Sequence, residues 1–253
     1  MTRLKIQHFV IFLTIGLLSC RDTPAVSGIA GKRIKIDATL RASDSLVRFL
    51  DPYRDRIDAV LDSALAYAPY TISKDDGLYN STAGNLLADI VLSEANPLFK
   101  ARTGEEIDFV LLNHGGIRSI IPKGKVTARS AYEFMPFENA IVVAELDGKS
   151  VEALVMYLRD AGRAHPIAGL QVVLDGENKI RSIRVQGKPF DDTRTYNVAT
   201  SDYLLNGGDD MVFFKNAGRV VAMDYKVRSA MIDYFKKVDT LVPVTDDRFF
   251  RME

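Results

Sequence analysis

Two short β-prone runs, Leu170-Gln171-Val172-Val173-Leu174 and Ile180-Arg181-Ser182-Ile183-Arg184-Val185, are separated by the polar stretch Asp175-Gly176-Glu177-Asn178 and Lys179. Runs of this length joined by a glycine-containing turn fold back as a hairpin, which forces antiparallel pairing. That pairing argues against a doubly wound parallel sheet, where a helix separates successive strands. Helical periodicity is nevertheless present around it. Between Asp44 and Ala68 the apolar residues Leu46, Val47, Leu50, Tyr53, Ile57, Val60, Leu61 and Leu65 recur at three and four positions, predicting an amphipathic helix bent or restarted at Pro52.

A second helix is expected over Thr82–Ser93. A third follows the turn Asp147-Gly148-Lys149-Ser150, with Val151, Leu154, Val155 and Leu158 on one face, and a last one spans Tyr225–Lys237. Further strands are expected at Ile107–Leu112, Ile141–Leu146 and Tyr196–Thr200. Hairpins mixed with helices define an α+β fold, a mixed sheet with packed helices.

Composition narrows the function. The 253 residues are 47% hydrophobic and 26% charged, the balance of an ordinary folded chain with a sizeable core. Basic and acidic residues number 33 each, and a nucleic-acid binder would show a basic surplus, so no nucleic acid is expected as partner. The three histidines, His8, His114 and His165, stand in no His-x-x-x-His or Asp-x-His pattern, and a two-metal hydrolytic centre needs several converging imidazoles and carboxylates. Neither a catalytic centre nor a metal site is therefore expected in this chain. The G-x-S-x-G, P-loop and dinucleotide-binding signatures are also missing.

At the N-terminus, Arg3 and Lys5 precede the apolar run from Phe9 to Leu18, followed by Ser19 and Cys20. The run is short for a membrane span and has the length and basic flank of an export signal. Leu17-Leu18-Ser19-Cys20 resembles the lipobox of bacterial lipoproteins, which makes residues 1–19 a signal peptide and Cys20 the lipidation site. As the only cysteine, Cys20 has no intramolecular disulfide partner. Residues 20–35 read as the lipidated cysteine and its tether, and the expected location is the cell envelope, on a bacterial membrane.

Three loops carry more placed polar groups than a core requires. Asn113-His114-Gly115-Gly116-Ile117-Arg118 leaves a strand through two glycines, which permit close approach of a ligand to the backbone. Met135-Pro136-Phe137-Glu138-Asn139 places an aromatic after a proline, and Ser201 to Asp210 sets Tyr203 six residues before Asp209 with Gly207-Gly208 between them. Taken singly, these residues are more often turn, ion-pair or core residues than ligand contacts. Two facing aromatic rings would instead form a slot for a planar base, with a carboxylate at its rim for ribose hydroxyls.

The order Gly84-Asn85-Leu86-Leu87-Ala88-Asp89, Asn113-His114-Gly115-Gly116-Ile117-Arg118, Pro136-Phe137-Glu138-Asn139 and Tyr203 with Gly207-Gly208-Asp209 resembles the C-terminal domain of the 5′-nucleotidase family. The resemblance runs from about Ile36 to the C-terminus, so residues 36–253 are expected to form that domain. It implies that Phe137 and Tyr203 sandwich a base, Asp209 accepts the ribose hydroxyls, Asn113 and Asn139 address the base edge, and Arg118 reaches ribose or phosphate. Gly115, Gly116, Gly207 and Gly208 are the glycines of its motifs. The sequence departs from the family pattern where Leu78-Tyr79-Asn80 lacks an arginine, Glu138 replaces a glycine and Asp210 replaces another. Two added carboxylates are expected to weaken phosphate binding.

In full-length members a metallophosphatase domain precedes this one, and only a short stretch separates Cys20 from the start of the resemblance. The expectation is therefore the substrate-recognition half of a 5′-nucleotidase, with catalysis and its divalent metals on a separately encoded metallophosphatase chain. A non-catalytic nucleoside or nucleotide capture lipoprotein and a structural envelope domain are the alternatives. Cys20→Ala should move the protein from the membrane to the soluble fraction after a salt wash, because stable anchoring rests on the acyl chains that the sulfur carries. Retention of the mutant on washed membranes would refute the lipoprotein reading.

Overall fold

The computed structural model describes residues 28, 30–37 and 39–252. The apolar run of the expected signal peptide, Cys20 and residues 20–27 of the tether lie outside them. The chain divides into two units, residues 1–50 and 51–253. In the first, Thr39 donates through its backbone N–H and its hydroxyl to Asp37 Oδ1, at 3.0 and 2.6 Å.

Helix α1 (Asp44–Leu61) is continuous through Pro52 and buries none of its residues. It ends earlier than the periodicity implied. Ala64–Ala68 forms strand β1, antiparallel to β3 (Gly124–Thr127). The alternation of Ala64, Ala66 and Ala68 with Leu65 and Tyr67 is also a two-residue period, and Ala66 and Ala68 turn inward while Tyr67 stays exposed. Arg129 fixes the helix end by donating to Asp58 at 2.5 Å and to Asp62 at 2.6 Å.

Helix α2 (Thr82–Thr103) starts where Ser81 accepts the Gly84 N–H at 3.1 Å and stops at Gly104, whose φ of 79° ends the helical run. It outlasts the expected Thr82–Ser93 and passes through Pro97, since Ala95 and Phe99 are both fully buried and packing continues beyond the proline. Strand β2 (Phe109–Leu111), helix α3 (Ala128–Phe134), β4 (Ala140–Asp147), α4 (Gly148–Ala161), β5 (Ile167–Ala168), the hairpin β6 (Leu170–Leu174) and β7 (Ile180–Val185), β8 (Lys188–Pro189), β9 (Thr195–Ser201) and the short α5 (Asp202–Leu205) follow. The chain closes with β10 (Val220–Lys226), α6 (Val227–Phe235) and β11 (Phe249–Arg251). Tyr225 and Lys226, expected in the last helix, belong to β10 because Lys226 pairs with Ala140.

The architecture is the α+β arrangement expected from the sequence. A five-stranded sheet has the order β10-β4-β9-β2-β5, and a four-stranded sheet the order β11-β6-β7-β8. The first is mixed: β2 runs parallel to β9, and β4 antiparallel to it. One apolar cluster gathers Leu87, Ile90, Phe99, Phe134, Met231 and Phe235, and a second gathers Phe109, Leu154, Leu158, Val172, Tyr196 and Phe249. Both draw residues from the five-stranded sheet, which is thereby covered on its two faces.

Strand directions decide where loops meet. Because β2 and β9 are parallel and β4 is antiparallel between β10 and β9, the exits of β2 and β9 and the entrance of β4 lie at one end of the sheet. Ile141 faces Ser201 at that end. The segments starting at Asn113, ending at Asn139 and starting at Asp202 are therefore neighbours.

Candidate functional site

At this sheet end a cavity of about 270 Å³ is lined by Asn113, Gly115, Gly116, Arg118, Phe137, Asn139, Tyr203 and Asp209. Its size is close to the lower end of small-molecule sites, roughly 300–1,000 Å³. The lining is more apolar than the wider, charged cleft at the opposite end of the strands, lined by Glu105, Glu106, Asp108, Lys188 and Arg194. Phe137 and Tyr203 are 42% and 46% exposed, large rings open to solvent where the core aromatics are fully buried.

The turn after β2 is a single 3-10 turn, His114–Gly116, in which the Gly116 N–H donates to Asn113 O at 3.1 Å. A Cβ on Gly116 would lie 2.8 Å from Asn113 Oδ1, so a side chain there would push the Asn113 amide out of place. That amide donates to Asp209 Oδ2 at 2.7 Å, and the Tyr203 hydroxyl donates to Asp209 Oδ1 at 3.0 Å. Asp209 thus ties the turn of β2 to α5. The same hydrogen bond raises the Tyr203 phenol pKa, because the carboxylate favours the protonated phenol.

Asp209 and Asp210 both take left-handed backbone, with φ of 52° and 59°. Asp tolerates this conformation better than branched residues do. The Tyr157 hydroxyl donates to Asp209 O at 2.8 Å and holds it there. Gly208 sits against the face of Tyr203, where a Cβ would collide with the ring. Gly207 and Gly208 do not line this cavity: they line a more open depression with Asn139, Asp202, Tyr203 and Asn206, and Gly208 alone backs the Tyr203 ring.

Arg118 reaches over the Phe137 ring, its guanidinium carbon 6.0 Å from the centroid, and donates to Gly115 O at 3.4 Å. The two added carboxylates expected near the site do not line this cavity. Glu138 is paired with Lys226 and Arg228, and Asp210 lines a separate cavity with Lys149, Tyr157 and Phe213. The negative charge at position 138 is thus neutralised by its own neighbours.

Sequence reasoning missed His165, Tyr157 and Arg228. His165 is buried under the Asn113 turn, where its Nδ1 accepts the His114 N–H at 3.3 Å and Tyr157 meets its ring edge-on at 5.5 Å. Burial above all, with the positive charge of Arg163 nearby, lowers its pKa to about 4. Its Nε2 has no hydrogen-bond partner. No local motif marks His165 or Tyr157. Arg228 was visible in principle, as a charged residue among Val227, Ala230 and Met231 on the apolar face of α6. Among the described residues no group of three or more His, Cys, Asp or Glu is arranged to hold a metal ion.

The model of the 5′-nucleotidase C-terminal domain matches residues 67–216, more than half of the chain. The chain belongs to this family. The 5′-nucleotidase C-terminal fold is also that of the 5′-nucleotidase precursor from Thermus thermophilus, similar at a TM-score of 0.68 and 26% identity over 83% of this chain and 43% of that one. Protein UshA of Yersinia enterocolitica is 26% identical over 182 residues, 70% of this chain and 32% of the relative. Cell wall protein Lmo0130 of Listeria monocytogenes is 30% identical over 206 residues, 72% of this chain and 26% of the relative. The chain thus spans about a third or less of the length of these two curated relatives.

The buried imidazole gives this 5′-nucleotidase C-terminal domain a specific acid response. His165 takes up its proton near pH 4 when folded and near pH 6.5 when unfolded, so between these values the unfolded chain binds the extra proton and stability falls as pH falls. Above about pH 6.5 the residue contributes no pH dependence. His165→Asn retains an acceptor for the His114 N–H and should flatten the decline of melting temperature between pH 6.5 and 4, by at most about 1.4 kcal/mol per pH unit. Parallel melting curves for the two proteins across that range would contradict the assignment.

Proposed function

We propose that this domain holds the nucleoside part of a nucleotide, as the substrate-recognition half of a 5′-nucleotidase whose chemistry is supplied by a separate metallophosphatase chain carrying the divalent metals. The observation that carries the reading is the cavity itself: segments from separate parts of the sequence converge on one opening that has two exposed aromatic walls and a carboxylate. In this reading Phe137 and Tyr203 stack on the base, a contact worth roughly 1 to 3 kcal/mol per ring. Asp209 accepts the ribose hydroxyls through the lone pairs that Asn113 and Tyr203 leave open, with its carboxylate already oriented by those two donors. Asn113 and Asn139 address the base edge, Asn113 also steadying Asp209. Among the described residues Arg118 is the one cationic side chain lining the cavity, and in this reading it turns toward the ribose or its phosphate.

Holding the nucleoside fixes where the phosphate projects, so binding energy remote from the ester serves the hydrolysis carried out by the partner. Each of the two curated relatives is a longer chain of which only a part matches, and one is a cell wall protein by name, in keeping with an envelope location through the proposed lipid on Cys20.

Calorimetry with adenosine tests the slot. Phe137→Ala and Tyr203→Ala should each weaken binding by about 1 to 3 kcal/mol while lowering stability by less than the roughly 3 to 5 kcal/mol of a buried aromatic. Asp209→Asn should weaken adenosine more than 2′-deoxyadenosine, which lacks one of the two hydroxyls. Large melting losses with unchanged binding would remove the slot.

The division of labour has its own assay. Detergent extract captured on the tagged protein should release phosphate from nucleoside monophosphates with Mn²⁺, whereas the purified chain alone should release none above background. Metal-dependent release by a preparation shown by mass spectrometry to hold this chain alone would overturn the proposal of a separate catalytic chain. Nucleoside binding without phosphatase in the captured material would favour a capture protein instead.

A further inference from the structure

Three consecutive residues at the junction of β10 and α6 hold five consecutive residues of the loop that carries Phe137. The Lys226 ammonium pairs with Glu138, the Val227 N–H donates to Asn139 O at 3.0 Å, and Arg228 accounts for the rest. Arg228 Nη1 donates to the carbonyls of Met135, Pro136 and Phe137, at 3.3, 2.9 and 3.2 Å. Its other terminal nitrogen pairs with the Glu138 carboxylate, and its guanidinium lies over the Tyr132 ring at 4.1 Å from the centroid.

The Arg228 side chain is only 6% exposed, whereas that of Glu138 is 61% exposed. A guanidinium removed from water must have its donors satisfied and its charge answered. Here the loop backbone supplies the acceptors and Glu138 supplies the charge. Loop and arginine are thus mutually dependent. A lysine could not reproduce the arrangement, because one ammonium on a flexible stem lacks the planar fork that reaches carbonyls and carboxylate together and stacks on an aromatic face.

We propose that Arg228 is the positioning residue of the slot: by clamping residues 135–138 from below, with Glu138 as its counter-ion, it fixes the Phe137 ring as one wall of the cavity. Arg228 does not line the cavity. The inference rests on the nucleoside reading for its consequence in binding, and on the loop contacts alone for its consequence in structure. Glu138 serves the clamp, with its charge directed to Lys226 and Arg228.

Two measurements separate the clamp from the nucleoside reading. Backbone hydrogen exchange of residues 135–139, read by mass spectrometry, needs no ligand. Adenosine and 2′-deoxyadenosine affinities, read by calorimetry far below each variant's melting temperature, report the slot. Arg228→Lys should speed exchange of 135–139 about tenfold while leaving 113–118 unchanged, and should weaken both nucleosides by the same factor of about ten. Equal loss marks the base-stacking wall, in contrast to the ribose-dependent loss expected for Asp209→Asn. Glu138→Gln, which keeps all three carbonyl bonds, should show the same pattern at about threefold and carries the test if Arg228→Lys does not fold. Unchanged exchange in 135–139 in the folded variants overturns the proposal, as does faster exchange with unchanged affinity. Faster exchange in a protein whose wild type binds neither nucleoside would retain the clamp and discard the nucleoside reading.

Discussion

The parallel pairing of β2 with β9, with β4 antiparallel beside them, is the constraint from which the site follows. Strand direction alone decides at which end of a sheet a connection emerges, and here two exits and one entrance coincide. Had β2 run antiparallel to β9, the Asn113 turn would open at the far end, near Thr195, and the Asp209 carboxylate would lose one of its two donors. The loops themselves are irregular. Their mutual placement comes from the ladder beneath them, in which Phe109 faces Val198 and Ile141 faces Ser201.

On that frame Asp209 is the point where the walls are joined. Its carboxylate accepts from Asn113 and from Tyr203, and its carbonyl accepts from Tyr157, so three elements distant in sequence share one residue held at a φ of 52°. Left-handed backbone outside glycine persists where surrounding contacts over-determine it. The same bonds orient the carboxylate before any ligand arrives, which reduces the ordering that binding would otherwise require. Below the turn, His165 stays neutral because burial above all, and the nearby Arg163 guanidinium, oppose its protonation, and a neutral imidazole leaves Nδ1 free to accept the His114 N–H.

Much of this arrangement was legible in the sequence. The hairpin from Leu170 to Val185 was marked by a glycine turn between two β-prone runs, and the strands were found as drawn. The loops gathered at the cavity announced themselves through Gly115-Gly116, Pro136-Phe137 and Gly207-Gly208, all local signals. Where a signal was ambiguous the reading failed: Ala64 to Ala68 satisfies both a helical and a two-residue period, and pairing with β3 decided for a strand. Non-local groups were invisible. His165 lies beside His114 only because β5 pairs with β2, and no property of residues near 165 records that neighbour. Glu138 looked like an extra negative charge at the rim because its partners, Lys226 and Arg228, lie far along the chain, on the other side of six strands, β4 to β9, and two α-helices.

The two walls of the slot are built by different means, and this bears on how a nucleotide could be held for reaction. Tyr203 leans on Gly208 and is tied to Asp209, so its placement is coupled to the carboxylate proposed for the ribose. Phe137 stands on a loop whose carbonyls are fastened to Arg228, with Arg118 above the ring, so its placement depends on the β10–α6 junction instead. A ligand stacked between the rings would bridge two structurally independent supports. Its own binding energy would then oppose any separation of the walls, and the bond to the phosphate would inherit its direction from both. Recognition of the nucleoside and aim of the phosphate are, in such a slot, the same interaction seen at two ends of one molecule.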